Sequence, residues 1–189
     1  MQATHQGFRI TAIVYPTGAD FEVFAGEITE MMSVLGMRLA GLVQHREQKP
    51  GRAKCDMSVR DLATGALHRI SDDRGLYARG CVLNSERLLN ACTAAEAGLS
   101  PQADLLVLSK FGKAEVEGGG FRSLMVKALD LSVPVLIGVP AINLVPFRAF
   151  AGDLAREIEL SELPSDRQVA AEYLRTTCRP VDEAMWARA

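Results

Sequence analysis

The stretch Asp104–Leu129, DLLVLSKFGKAEVEGGGFRSLMVKAL, decides how the chain reads. It opens on an unbroken apolar run, Leu105–Leu108, with the length and bulk of a strand buried on both faces. It closes on Phe121, Leu124, Met125, Ala128 and Leu129, which recur at helical spacing and line one face of a helix. The loop between them is richer than a core connection requires: Ser109, Lys110, Phe111, Gly112, Lys113, Glu115, Glu117, then Gly118, Gly119 and Gly120. In open α/β sheets, ligands sit beyond the carboxyl ends of the strands, where such loops emerge. Backbone N–H groups opening a helix favour an anion, and two lysines add to that field. The plain alternative is a solvated connection carrying ordinary surface charge.

Working outward, the N-terminal part predicts a strand at Phe8–Val14, a turn at Tyr15-Pro16-Thr17-Gly18 and a helix from about Asp20. Phe21, Phe24, Ile28, Met31, Met32 and Leu35 form its apolar stripe. Thr17 or Asp20 caps it and Gly36 ends it. A strand at Arg38–Gln44 completes a βαβ unit, which implies parallel strands and a right-handed crossover. The turn is where a phosphate-binding loop, GxxxxGK[ST], belongs, yet YPTGADFEVF has one glycine and no Lys-Ser or Lys-Thr pair.

Residues 45–56 and 71–80 read as polar loops. Between them Met57–Leu62 and Leu67–Ile70 predict a β-hairpin with Thr64-Gly65 in its turn. Asp72 and Asp73 read as part of a solvated turn rather than a cation site. Asn84 or Ser85 caps a helix carrying Leu88, Leu89, Cys92 and Ala95, closed by Gly98. Val133–Val139 is a second buried strand, with Pro134 tolerated near its start. A short helix at Pro146–Phe150, an edge strand at Glu157–Leu160 and a helix at Asp166–Arg175 follow. The last places Val169, Ala170, Tyr173 and Leu174 on one side. The expected fold is α/β with a mainly parallel sheet and an inserted hairpin. Residues 1–160 form a single domain, and 161–189 form a helical extension packed on it or on a partner subunit, which leaves a homo-oligomer open.

With 189 residues, 48% of them apolar and 23% charged, the chain is long enough to bury a substantial core. A net charge of −2 and a pI near 5.9 argue against a general nucleic-acid binder. No stretch has the length of a membrane span, and the first residues lack a signal-peptide apolar core, so neither a membrane nor export is expected and the cytoplasm is the default. The cysteines Cys55, Cys81, Cys92 and Cys178 show no CxxC spacing, so neither a disulfide framework nor a metal site is expected. Cys81 reads equally as a buried residue or as a thiol near a helix start.

Two groups of residues suggest a family. Arg38–Gln44 with Asp61-Leu-Ala-Thr-Gly65 resembles the nucleoside-triphosphatases of the THEP type. Ser109-Lys-Phe-Gly-Lys113, Glu115 and Glu117-Gly-Gly-Gly120, together with Arg79-Gly-Cys-Val-Leu83, resemble the bacterial domain-of-unknown-function 2478 family up to about Gly152. That family reads Asn-Lys-Phe-Gly-Lys and Glu-Gly-Arg-Gly where this chain has Ser109 and Gly119. The resemblance implies a three-layer P-loop-NTPase-like fold with a degenerate phosphate loop. It also brings labels drawn from neighbouring molybdate-uptake genes and, for some members, a dehydroquinate dehydratase label. A (β/α)₈ dehydratase needs a barrel of at least about 200 residues. The flavodoxin-like class needs a catalytic tyrosine and histidine, whereas His5, His45 and His68 fall in the tail, a loop and the hairpin. The label is rejected.

Three functional readings follow. The first is a non-hydrolytic accessory or regulatory protein, placed by the resemblance beside molybdenum metabolism, that holds a nucleotide phosphate or an oxyanion such as molybdate, with no cofactor assigned. Its ligand-binding residues are Lys110, Lys113, Glu115, Glu117, Gly118, Gly119 and Gly120 with Tyr15, Thr17 and Gly18. Backbone N–H groups around Gly118–Gly120 donate, and the two lysines neutralise charge. The second is a phosphoryl-transfer enzyme with Asp104 or Glu115 on magnesium, although Asp104 precedes its strand and a Walker-B carboxylate follows one. The third is a protein-interaction module. Both lysines read as exposed, so their truncation is expected to leave stability unchanged. Glu115 and Glu117 are expected to pair with them.

Overall fold

The computed structural model describes residues 8–17, 19, 21–47, 56–72 and 82–179. In chain order its elements are β1 (Ile10–Tyr15), α1 (Phe21–Val34), β2 (Leu39–Glu47), β3 (Asp56–Asp61) and β4 (Leu67–Arg69). The short pair β5 (Ser71–Asp72) and β6 (Val82–Leu83) precedes α2 (Ser85–Gly98), β7 (Leu105–Leu108) and α3 (Lys113–Val116). Then come α4 (Arg122–Asp130), β8 (Val135–Pro140), α5 (Leu144–Ala151), β9 (Ala155–Glu159) and α6 (Arg167–Thr177).

Seven strands form one sheet in the order β4-β3-β2-β7-β8-β1-β9. The five from β2 to β9 run parallel, while β3 and β4 extend the β2 edge antiparallel. This is the mainly parallel sheet with an inserted hairpin that the periodicities predict. Side chains of a strand alternate between faces, so one sheet serves two cores. Ile10, Ala12, Leu106, Leu108, Val135 and Ile137 meet α2, α4 and α5 through Leu88, Cys92, Leu124, Met125 and Phe147. Ile13, Tyr15, Leu105, Val107 and Leu136 meet α1 and α6 through Phe21, Phe24, Ile28, Met32, Ala170 and Leu174. Helices on both faces make three layers.

Helix boundaries follow local chemistry. Asn84 accepts a hydrogen bond from Arg87 N and so caps α2. After α1, Gly36 takes φ +81°, with Gly36 N bonded to Ser33 O and Met37 N to Met32 O, the paired closure that favours glycine. Two helix faces differ from expectation. On α2, Leu89 is 60% exposed and Ala91 is buried instead. On α6, Val169 and Tyr173 are exposed, and Ala170, Ala171 and Leu174 face α1. Small residues let two helices approach closely, so the tight contact selects alanine over bulk. The second buried strand begins at Val135, after Pro134. Gly18, Asp20, Cys55, Cys81, Met185 and Trp186 lie outside the described residues, as do 48–55 and 73–80. No helix among the described residues is long and apolar enough to cross a membrane.

Candidate functional site

Because β8 lies between β1 and β7, the turns after these three strands leave one edge of the sheet side by side. They enclose a cleft of about 510 Å³ lined by Tyr15, Thr17, Ala19, Phe21 and Glu22 from the first turn and α1. Lys110, Gly112 and Lys113 come from the second loop, and Pro140, Ile142 and Asn143 from the third.

Two aromatic residues of this lining, Tyr15 and Phe21, pack together. Tyr15 ends β1 and its ring stacks on Phe21 with centroids 4.6 Å apart and planes within 4°. Phe21 in turn lies over β8, where a Cβ on Gly138 would come within 2.1 Å of its ring. Phe111 points the other way into the core, fully buried and edge-on to Phe147 at 5.3 Å. Its N–H donates to Gly138 O at 2.8 Å, and its carbonyl accepts from Asn143 Nδ2 at 2.8 Å. An anchored Phe111 leaves Lys110 and Lys113, on either side of it, facing the cleft.

Ser109 is 1% exposed and belongs to the sheet. Its N–H bonds Leu42 O at 3.1 Å, and its hydroxyl accepts from Gln44 N and donates to Leu42 O. Lys110 Nζ meets Glu22 Oε1 at 2.9 Å, where the lysine side chain is 36% exposed and the glutamate 11%. Glu22 stands in the first turn of α1, so the chain places its own carboxylate at this helix start. Burial, and after it the charge of Glu22, push the Tyr15 hydroxyl well above its ordinary value. Lys113 is at the rim, 87% exposed, and pairs loosely with Glu117 at 3.5 Å.

The glycine run does something other than expected. Glu115 is 3% exposed, and its two carboxylate oxygens accept from Gly112 N at 2.7 Å and Phe121 N at 2.8 Å. The loop is thereby clamped at both ends. Gly120 has φ +59°, and a Cβ there would come within 1.9 Å of Glu115 Oε1, so the glycine makes room for the clamp. Gly118 N and Gly119 N are bonded to Glu115 O and Ala114 O. These donors serve the loop, and Gly118, Gly119, Gly120, Glu115 and Glu117 all lie outside the cleft lining. Of the predicted site residues the structure brings together Tyr15, Thr17, Lys110 and Lys113. Glu22, Gly112 and Asn143 were not anticipated. Glu22 carried one signal, an acidic residue in the first turn of a helix that follows a parallel strand. Glu115 pairs with backbone rather than with a lysine.

Asp104, one of the two carboxylates named for magnesium in the phosphoryl-transfer reading, lies away from the cleft. It lies at the amino end of β7, across the sheet from the cleft, and is held by Arg38 N at 2.8 Å and Arg38 Nη2 at 2.9 Å. Those bonds keep its carboxyl below the usual range. Among the described residues no three His, Cys, Asp or Glu side chains gather closely enough to hold a metal ion.

Five parallel strands, helices on both faces and a cleft at the carboxyl edge define a three-layer α/β protein, and its first turn lacks the phosphate-loop residues. Within that class the chain belongs to the family described as Protein of unknown function (DUF2478), whose pattern matches residues 10–166. It is 28% identical over 169 residues to the Molybdenum import ATP-binding protein ModC 2 of Bradyrhizobium diazoefficiens, a match taking in 89% of this chain. It spans only 18% of that relative's length. Its structure is similar to that of THEP1 from the hyperthermophile Aquifex aeolicus, with a TM-score of 0.54 and 19% identity, over 89% of this chain and 98% of the other. This last likeness is one of fold.

Proposed function

We propose that the chain is a non-hydrolytic, cytoplasmic accessory protein that holds an oxyanion of the phosphate or molybdate type, free or as the phosphate of a nucleotide. One observation carries this reading: Lys110, Lys113 and the turn entering α1 converge on one cleft at the carboxyl edge of the sheet. That is where parallel α/β sheets take their ligands, and the volume falls in the usual range of about 300–1,000 Å³ for ligand sites. Two features favour binding over hydrolysis. The sequence entering α1, PTGADFEV, has no Lys-Ser or Lys-Thr pair to bridge phosphate and magnesium. Ser109, at the carboxyl end of β7, offers no carboxylate to a metal and has its hydroxyl engaged by β2. The similarity to a segment of a molybdenum import ATP-binding protein supports a place beside molybdenum metabolism.

A thermal-shift screen of inorganic phosphate, molybdate, tungstate and nucleotides tests the proposal. A ligand bound only by the folded state raises stability by mass action, about 2.7 kcal/mol at a hundredfold excess over Kd. At least one oxyanion is expected to raise Tm, and Lys113→Ala to weaken that ligand severalfold. The Lys113 side chain is so exposed that its loss should leave the unliganded Tm unchanged. No shift with any anion at millimolar concentration would contradict the reading.

A further inference from the structure

The cleft's principal cation is already engaged by Glu22, and this bears on which oxyanion the cleft accepts. We infer that Glu22 makes the site selective for an oxyanion that still carries a proton, hydrogen phosphate being the simplest, over fully ionised oxyanions such as molybdate and sulfate. The inference rests on the anion-binding reading above and narrows it.

The geometry leaves a ligand little choice of neighbours. A ligand oxygen within hydrogen-bond reach of Lys110 Nζ, about 3 Å, lies within about 6 Å of Glu22 Oε1, because that oxygen is itself 2.9 Å from the ammonium. The Glu22 side chain is 11% exposed, so water screens the encounter poorly, and like charges at such range repel strongly in a partly buried site. Tyr15 and Phe21, stacked on each other, line the same cleft beside Glu22. Near neutral pH phosphate, sulfate and molybdate are all tetrahedral anions of similar charge. Phosphate alone retains a hydroxyl. That hydroxyl can donate to the Glu22 carboxylate while the other oxygens accept from Lys110 and Lys113, so the same group that repels an ionised oxygen binds a protonated one. A site built to receive a hydrogen bond discriminates sharply against an analogue that lacks the donor, because the carboxylate then meets a second negative charge with no proton between them.

Isothermal titration of phosphate, sulfate and molybdate near pH 7 into wild type and Glu22→Gln tests this. The glutamine amide would keep an oxygen toward Lys110 and a similar shape, and Glu22→Ala serves as a second variant should the first fold poorly. Wild type is expected to bind phosphate at least tenfold more tightly than molybdate or sulfate. Removing the carboxylate should raise molybdate and sulfate affinity at least tenfold and collapse the ratio. Equal affinities in wild type, or a ratio unchanged in both variants, would overturn the selectivity while leaving the anion site intact. Failure of every oxyanion to bind wild type and variants alike would remove the anion site itself and this inference with it.

Discussion

Glu115 carries a carboxyl group into a buried position, 3% exposed, and uses both its oxygens to tie Gly112 to Phe121. Burial raises its pKa, against the backbone N–H groups and Lys110, which lower it. The folded state therefore holds the proton more tightly than the unfolded chain. Its contribution to stability is fully present in acid, below the ordinary glutamate value of about 4.3, and declines as pH rises through the raised folded value. Glu115→Gln is expected to lose that decline and to cost about 1–3 kcal/mol, since its amide N–H₂ would face a backbone N–H. Urea melts of both proteins between about pH 4 and about pH 7 check this against the linkage slope; parallel pH profiles would contradict it. A glutamate beside three glycines reads in the sequence as ligand chemistry, because nothing local shows that the carboxylate turns inward. Lys110 was legible as a residue of the loop that lines the cleft, but its partner was not: Glu22 lies 88 positions away. The expectation that truncating Lys110 would leave stability untouched is revised for the same reason. Lys110→Ala alone would take an ion-pair partner from a mostly buried carboxylate.

At the scale of elements, strands were easier to read than helix faces. An unbroken run such as Leu105–Leu108 can satisfy a sheet covered on both sides, and period-two alternation divides it correctly between the two cores. The helices were misread where an unanticipated alanine, not bulk, makes the contact: Ala91 on α2 and Ala171 on α6. Hydrophobicity alone ranks Leu89, Val169 and Tyr173 ahead of them, and only the distance to the neighbouring element reverses the order. The start of α1 depends on a similar exclusion. Phe21 occupies the space that a side chain on Gly138 would need, so Gly138→Ala should push its ring, and with it the turn bearing Glu22, out of place. A destabilisation of about 1–3 kcal/mol is expected, as for other overpacked cores. Denaturant midpoints measure it, and a midpoint equal to that of wild type would show that Phe21 yields freely.

For the whole molecule, the decisive fact is strand order. The sequence announces parallel strands and loops at their carboxyl ends, but not that β8 inserts between β1 and β7. That insertion brings three turns to one edge and makes a cleft out of residues from three distant parts of the chain. It also places Asp104 at the opposite edge, bound to Arg38. The central claim is that Lys110 holds an anion in this cleft, and it is tested most directly on a background where its removal breaks no ion pair with Glu22. Phosphate titrated calorimetrically into Glu22→Gln and into Glu22→Gln/Lys110→Ala compares two proteins that differ only in that ammonium group. The single variant is expected to bind and the double variant to lose at least tenfold in affinity, with the remaining binding weakened less by added salt. Equal affinity in the two proteins would contradict the account.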